Sequence, residues 1–242
     1  MAVDTPTKKY DFLVKIWEKI RIASTGQEAV KASGNSKTYL PCPQGYDETW
    51  YNGVLHRAYW FGATGATVEA YQGAIFRKSP ILTPEVPNAQ EEFFESIDDN
   101  GNDLETFSTI VTNDVIKTSY GGILVDFDDT GEDGTLTKAQ VKDLGKRAKM
   151  IFYPAESIFY AEKNQVRLWE TYTESTDEFT HEIKKQIKVL DLLEAIDSGK
   201  KFSEYRQRIY RQKEDESAWT QFGDDIYPKL PGSQPFDFIP FQ

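Results

Sequence analysis

The chain has 242 residues, with 39 acidic side chains against 28 basic ones, a formal charge of −11. Hydrophobic residues make up 39% and aromatics 14%, enough for a real core and too aromatic for a disordered chain. The acid excess argues against tight binding of duplex DNA or an anionic membrane, both of which call for clustered Lys and Arg. One cysteine, Cys42, excludes an intramolecular disulfide and fits a reducing cytoplasm. No run approaches the roughly 20 apolar residues that span a bilayer, and polar Met1–Lys9 predicts no secretory signal.

In chain order, Tyr10–Ala23 predicts an amphipathic helix with Leu13, Ile16, Trp17 and Ile20 on its apolar face. Asp11 falls in its first turn, where the helix dipole favours an acid. A polar stretch with Gly26, Gly34, Asn35 and Ser36 follows, and Pro41 and Pro43 close it. Asp47–Phe76 predicts a mainly helical region interrupted at Gly62 and Gly65, whose small-residue cluster suits a close helix crossing or a kink. Ser79–Pro87 predicts an extended segment and Glu91–Ile97 a short helix. Leu104–Thr118 predicts a longer helix capped by Asp103. Gly121–Phe127 predicts a buried strand, Asp126–Gly134 an acidic loop, and Thr137–Ala148 a polar helix.

The character changes near Met150. Strands are predicted over Met150–Tyr153, Ser157–Ala161, Val166–Tyr172, Lys184–Leu190, Tyr205–Arg211 and Ala218–Phe222, with a helical turn over Leu192–Ile196. The closing run of Phe236, Phe238, Ile239 and Phe241 calls for a surface to dock on, or for more chain beyond it. The fold class is therefore α+β, helical first and strand-rich after about residue 150.

Candidate chemistry is thin. Ser96–Gly101 and Asp126–Gly131 echo the start of a calcium loop, but position 12 holds Phe107 in one and Thr137 in the other, where a bidentate acid is needed. They are expected to be Asx-type turns. His56 and His181 lack the neighbours of a nucleophile relay or a metal site, Cys42 reads as a small buried group, and no phosphate-cradling glycine loop occurs. No cofactor, metal or enzymatic activity is expected. Lys138, Lys142, Lys146 and Lys149 recur at i, i+4, i+8 and i+11 on one predicted helix face. Two readings stand: a solvated face tied to acids such as Asp143, or a stripe that meets DNA phosphate or an acidic neighbouring subunit.

Several short motifs, taken in order, carry a resemblance. They are Tyr39-Leu40-Pro41, Arg57-Ala58-Tyr59-Trp60-Phe61, Ala63-Thr64-Gly65-Ala66-Thr67-Val68 and Gly73-Ala74-Ile75-Phe76-Arg77-Lys78-Ser79-Pro80. Tyr120-Gly121-Gly122-Ile123-Leu124-Val125-Asp126-Phe127, Tyr153-Pro154-Ala155-Glu156-Ser157-Ile158 and Ile239-Pro240-Phe241 complete the series. Each is short; their shared order resembles the portal (head-to-tail connector) proteins of tailed bacteriophages, in the N-terminal part of a family long known only as a domain of unknown function. The chain departs from that pattern at Ala66, where a basic residue is expected, and in length, since such proteins continue past a point like Gln242.

The resemblance implies a portal-like fold with residues 1–136 as a mainly helical wing, 137–149 as a stem helix segment, and 150–242 as a mixed clip with the start of the return to the stem. It implies a homo-oligomeric, dodecameric ring at the capsid vertex of the virion, assembled in the host cytoplasm, through which DNA is packaged and ejected. Implied partners are a head–tail adaptor, the major capsid protein, a terminase during packaging, and double-stranded DNA passing without sequence specificity; no membrane is involved. In that frame Lys138, Lys142, Lys146 and Lys149 face the channel, and Trp169, Tyr172 and Tyr210 belong to the clip interface. The alternatives are another virion structural protein (a head–tail adaptor or minor head protein) or a calcium-binding module.

Overall fold

A computed structural model describes residues 2–32, 34–81, 91–127, 147–175, 177, 180–197, 200–212, 218–230 and 234–242. The fold is mixed α and β. Among the described residues seven helices come first: α1 (Lys8–Thr25), α2 (Gln27–Lys31), α3 (Ser36–Tyr39), α4 (Glu48–Arg57), α5 (Ala63–Ile75), α6 (Glu91–Glu95) and α7 (Leu104–Thr118). The strands follow: β1 (Gly121–Phe127), β2 (Ala148–Pro154), β3 (Ile158–Glu162), β4 (Gln165–Ser175), β5 (His181–Asp197), β6 (Lys200–Gln212), β7 (Trp219–Ile226), β8 (Lys229–Leu230) and β9 (Gln234–Pro235).

Three helices, α1, α4 and α7, begin where side chains satisfy the free N–H groups of the first turn, whereas α5 begins after Gly62 without a side-chain cap. Thr7, Asp47 and Asp103 accept from the backbone N–H of Tyr10, Trp50 and Thr106. The α1 stripe is narrower than its spacing predicts. Trp17 is buried, while Ile16, assigned to the same face, is exposed alongside Phe12. Its packing partner is α5, and Gly65 makes the approach possible: a Cβ there would lie 2.7 Å from the Ser24 carbonyl oxygen. The small-residue cluster is thus a close helix crossing. The polar stretch after α1 is not wholly irregular, since it holds α2 and α3.

β3 to β7 form one antiparallel sheet in sequential order. β5 is its centre, and Gln186–Asp191 is buried on both faces. The strand period of two sorts these residues. Lys188 and Leu190 point to one side, where Leu168, Tyr205, Leu124 and Tyr153 build a core. Ile187 and Val189 point to the other, where Phe159 is covered by Val3, Tyr10 and Trp169. Leu192–Ile196 lies inside β5, paired through Asp197 with β6. The predicted helical turn there yields to strand pairing, because a long antiparallel partner overrides the local helix preference of Leu-Leu-Glu-Ala, four good helix formers.

β1 and β2 pair over their full lengths, Gly121 with Pro154 through Phe127 with Ala148. Strand structure therefore begins before residue 150. β1 buries one side only: Gly122 and Leu124 are covered, Val125 and Phe127 exposed. The closing aromatic run docks on it. Ile123 and Gln242 exchange backbone hydrogen bonds, and Val125 N–H donates to the Pro240 carbonyl. The Phe241 ring fills the space that a Cβ on Gly122 would need.

Helices and sheet meet at a polar seam. Arg21 of α1 forks Asp114 of α7 (2.6 and 3.0 Å) and Glu156 of the 3-10 turn Ala155–Ser157 (2.5 and 2.7 Å). Hydrogen bonding to Glu156 and then to Asp114 holds the guanidinium charged more firmly than usual. Trp17 Nε1 donates to the Thr118 carbonyl at 3.0 Å. No helix among the described residues is long and apolar enough to cross a membrane.

Candidate assembly surface

Large apolar side chains that a soluble monomer would cover are open along the helical part. Tyr59 is 82% exposed, Phe61 77% and Tyr71 61%, and Trp50, Ile75, Ile81 and Ile110 are also open. Among the described residues, eleven of eighteen exposed large hydrophobic side chains precede residue 118. Singly exposed apolar residues are ordinary on a protein surface; a contiguous patch of them is what an interaction site requires. The geometry has local causes. α4 ends at Arg57, so Tyr59 and Phe61 fall in the connection to α5 instead of on a helix face. The α5 stripe is covered at Val68 and left open at Tyr71 and Ile75. Tyr46 and Trp50 stack on each other at 3.9 Å, forming a flat and partly wet aromatic pair. Tyr is suited to such a place because it has an apolar body, a polar tip and few rotamers to lose.

On the sheet, the three residues assigned to the clip interface are all half-buried. Trp169 packs between Phe159 and Trp219 (4.8 and 5.4 Å). Tyr172 lies under the Arg211 guanidinium. The Tyr210 hydroxyl accepts from Arg208 at 2.5 Å.

Of the four lysines assigned to one helix face, Lys149 alone lies among the described residues. Lys138, Lys142 and Lys146 lie outside the described residues. Lys149 is in β2, opposite Asp126 in register, and its Nζ is 3.0 Å from Asp99. A side chain on a strand does not continue a helical stripe, so the predicted helix through Lys149 is corrected at its end: Ala148 and Lys149 pair with β1 and adopt its extended form.

The remaining candidates are structural. Asp98 accepts from the backbone N–H of Asn100 and Asn102 and from the Asn102 amide, which is the expected Asx-type turn. Burial pushes its carboxyl up, but hydrogen bonds from Asn102 and Asn100 outweigh this and hold it below the usual carboxylate range. Arg147 donates to the Ser96 and Asp98 carbonyls. In the second acidic loop Asp126 is occupied by Lys188 (3.0 Å) and Gln207 (2.9 Å), while residues 128–131 lie outside the described residues. Among the described residues no three His, Cys, Asp or Glu side chains are grouped to hold a metal ion. His56 is exposed on α4, and exposed His181 shares a 2.9 Å contact with Ser175. Cys42 is half-buried in a loop and not enclosed as expected.

Sequence reasoning missed the polar network between the sheet and β1–β2. Lys188 sits between Asp126 and, at 3.9 Å, Glu170. Tyr153 donates to Glu170, and Gln186 Nε2 donates to the same carboxylate at 2.9 Å. Burial, and then the Glu170 carboxylate, push the Tyr153 phenol far up; burial and Asp126 do the same to Tyr205. An open cleft of about 700 Å³ beside it is walled by Tyr10, Glu156, Trp169, Glu170 and Lys185. Both of its glutamates are engaged, by Arg21 and by Tyr153 with Gln186, so the arrangement braces strands.

No protein-family model matches the chain, and no curated protein matches it.

Proposed function

We propose that the chain is a subunit of a tailed-bacteriophage portal, a ring at one capsid vertex that forms the channel for DNA packaging and ejection and the attachment point for the tail. The observation that carries this reading is the set of large aromatic and aliphatic side chains left open on the helical part, including Tyr59, Phe61 and Tyr71. A surface of this kind is satisfied by burial against identical copies. The shared order of short motifs from Tyr39 to Phe241 supports the family, and the finished sheet supports a rigid second part that meets other components.

The charge suits the role. A channel through which DNA moves must not hold it, and an acid-rich ring repels the phosphate backbone while a few lysines guide it. In this proposal the ring is dodecameric, contacts the major capsid protein and a head–tail adaptor, and binds a terminase that supplies the energy for packaging. It performs no bond-breaking chemistry, and double-stranded DNA passes without sequence reading.

Native mass spectrometry with negative-stain imaging of the complete protein tests it. A dodecamer-sized ring with a central hole is expected. A species that stays monomeric at tens of micromolar, or a compact dimer without a hole, ends the portal reading.

A further inference from the structure

The C-terminal end of β6 carries an arginine held in an unusual way. Arg211, on β6 opposite Gln186, has its guanidinium clamped between two rings: Tyr172 of β4 at 3.8 Å and Phe222 of β7 at 3.7 Å. Its Nε donates to Gln186 Oε1 at 2.9 Å, which fixes the rotation of the planar group. No carboxylate among the described residues meets its Nη atoms, which are not enclosed. The other described sheet arginines differ. Arg206 and Arg208 share Asp191, and Arg167 donates to the carbonyls of Ala2 and Val3.

A guanidinium sandwiched and oriented in advance has lost its rotamer freedom before any partner arrives, and its open edge presents parallel N–H donors matched to a carboxylate. In a chain with 39 acids to 28 bases, a fork that meets no acid among the described residues, while Arg206 and Arg208 are doubly engaged, marks a place suited to an acid from outside. Phe222, 54% exposed, is the apolar rim of the same spot. The surroundings favour one carboxylate over a polyanion: Glu174 and Glu182 flank Lys184 nearby and would repel a run of phosphates.

We infer that Arg211, clamped by Tyr172 and Phe222, is an intersubunit anchor that takes a carboxylate from a second copy of this chain. The occupant follows from charge: the acid-rich surface of an identical copy is the complement that assembly brings to it. This rests on the ring reading above, and gives it a specific polar contact at the sheet end.

The test compares self-association of the complete protein with that of Arg211→Lys and Arg211→Ala, by sedimentation and native mass spectrometry, with circular dichroism and melting as controls for folding. Arg211→Lys keeps the charge but loses the fork and the stack. Both variants are expected to weaken association by about tenfold or more while melting close to the parent, as for an arginine anchor at an interface. A wild type that associates, with both variants associating equally well, overturns the anchor and leaves the ring reading standing. A monomeric wild type overturns both. If Arg211→Lys folds and self-associates normally but loses binding to a short duplex DNA that the wild type retains, the occupant is phosphate and the carboxylate assignment is wrong. If Arg211→Ala fails to fold, the Arg211→Lys comparison decides alone.

Discussion

The two parts of the molecule solve the problem of burial differently. In the sheet, the central strand is covered on both faces, and long apolar side chains such as Leu168, Ile187 and Leu190 are fully enclosed. In the helical part, α5 buries Val68 alone, α4 buries Tyr51 alone, and aromatic side chains of equal size stand in solvent. One part finishes its own core. The other leaves more of its large apolar side chains open. The contrast teaches where the proposed ring reading must find its contacts: in open side chains of the helical part, outside the finished core of the sheet.

That contrast can be broken by substitution. The largest effect is expected in the sheet. Leu190→Ala or Leu168→Ala should cost about 2–5 kcal/mol of folding stability in chemical denaturation, the range for a truncated core side chain, whereas Phe61→Ala should leave monomer stability within about 0.5 kcal/mol, as at ordinary surface sites. Equal costs at Leu190 and Phe61 would erase the distinction. Next comes Lys188→Ala, which strands Asp126 and Glu170 without their cation; the expected loss is about 3–5 kcal/mol, and Lys188→Met with Asp126→Asn should recover part of it.

The seam between the parts is weaker. Arg21→Ala removes both forks, and since the group is partly exposed the loss should be about 1–2 kcal/mol, read as a lower melting temperature with the sheet's near-ultraviolet signal retained. Thr7→Ala deletes the α1 cap and should cost about 1 kcal/mol. The smallest effect is a pH dependence at Asp98. Its folded value lies below its unfolded one, so the stability it contributes is complete above the unfolded value of about 3.9 and is lost as pH falls through the lower folded value. Asp98→Asn should flatten the acid limb of the melting curve there, with little change at neutral pH.

Much of the fold was legible from local signals. The helix over Leu104–Thr118 with its Asp103 cap, and the strand over Gly121–Phe127, follow from periodicity and capping chemistry, and both occur as predicted. Local signals failed where pairing is distant. Ala148 and Lys149 follow a lysine-rich helical pattern, yet β1 draws them into a strand across some twenty residues of chain. Leu192–Ile196 fails for the same reason. The surface was legible in kind, through the high aromatic content, but not in place, because Ile16 and Trp17 differ in burial while sharing a predicted face. The clamp on Arg211 was not legible at all. Its members lie on three strands, and only the alternation of Arg206 to Arg211 hinted at a half-exposed strand there.

Hydroxyl-radical footprinting of the complete protein, run dilute and then at assembling concentration, tests the central claim most directly. Protection of Tyr59, Phe61 and Tyr71 on assembly, with the enclosed Tyr205 unreactive in both states, is the predicted result. Undiminished labelling of all three aromatics in an assembled sample would contradict it.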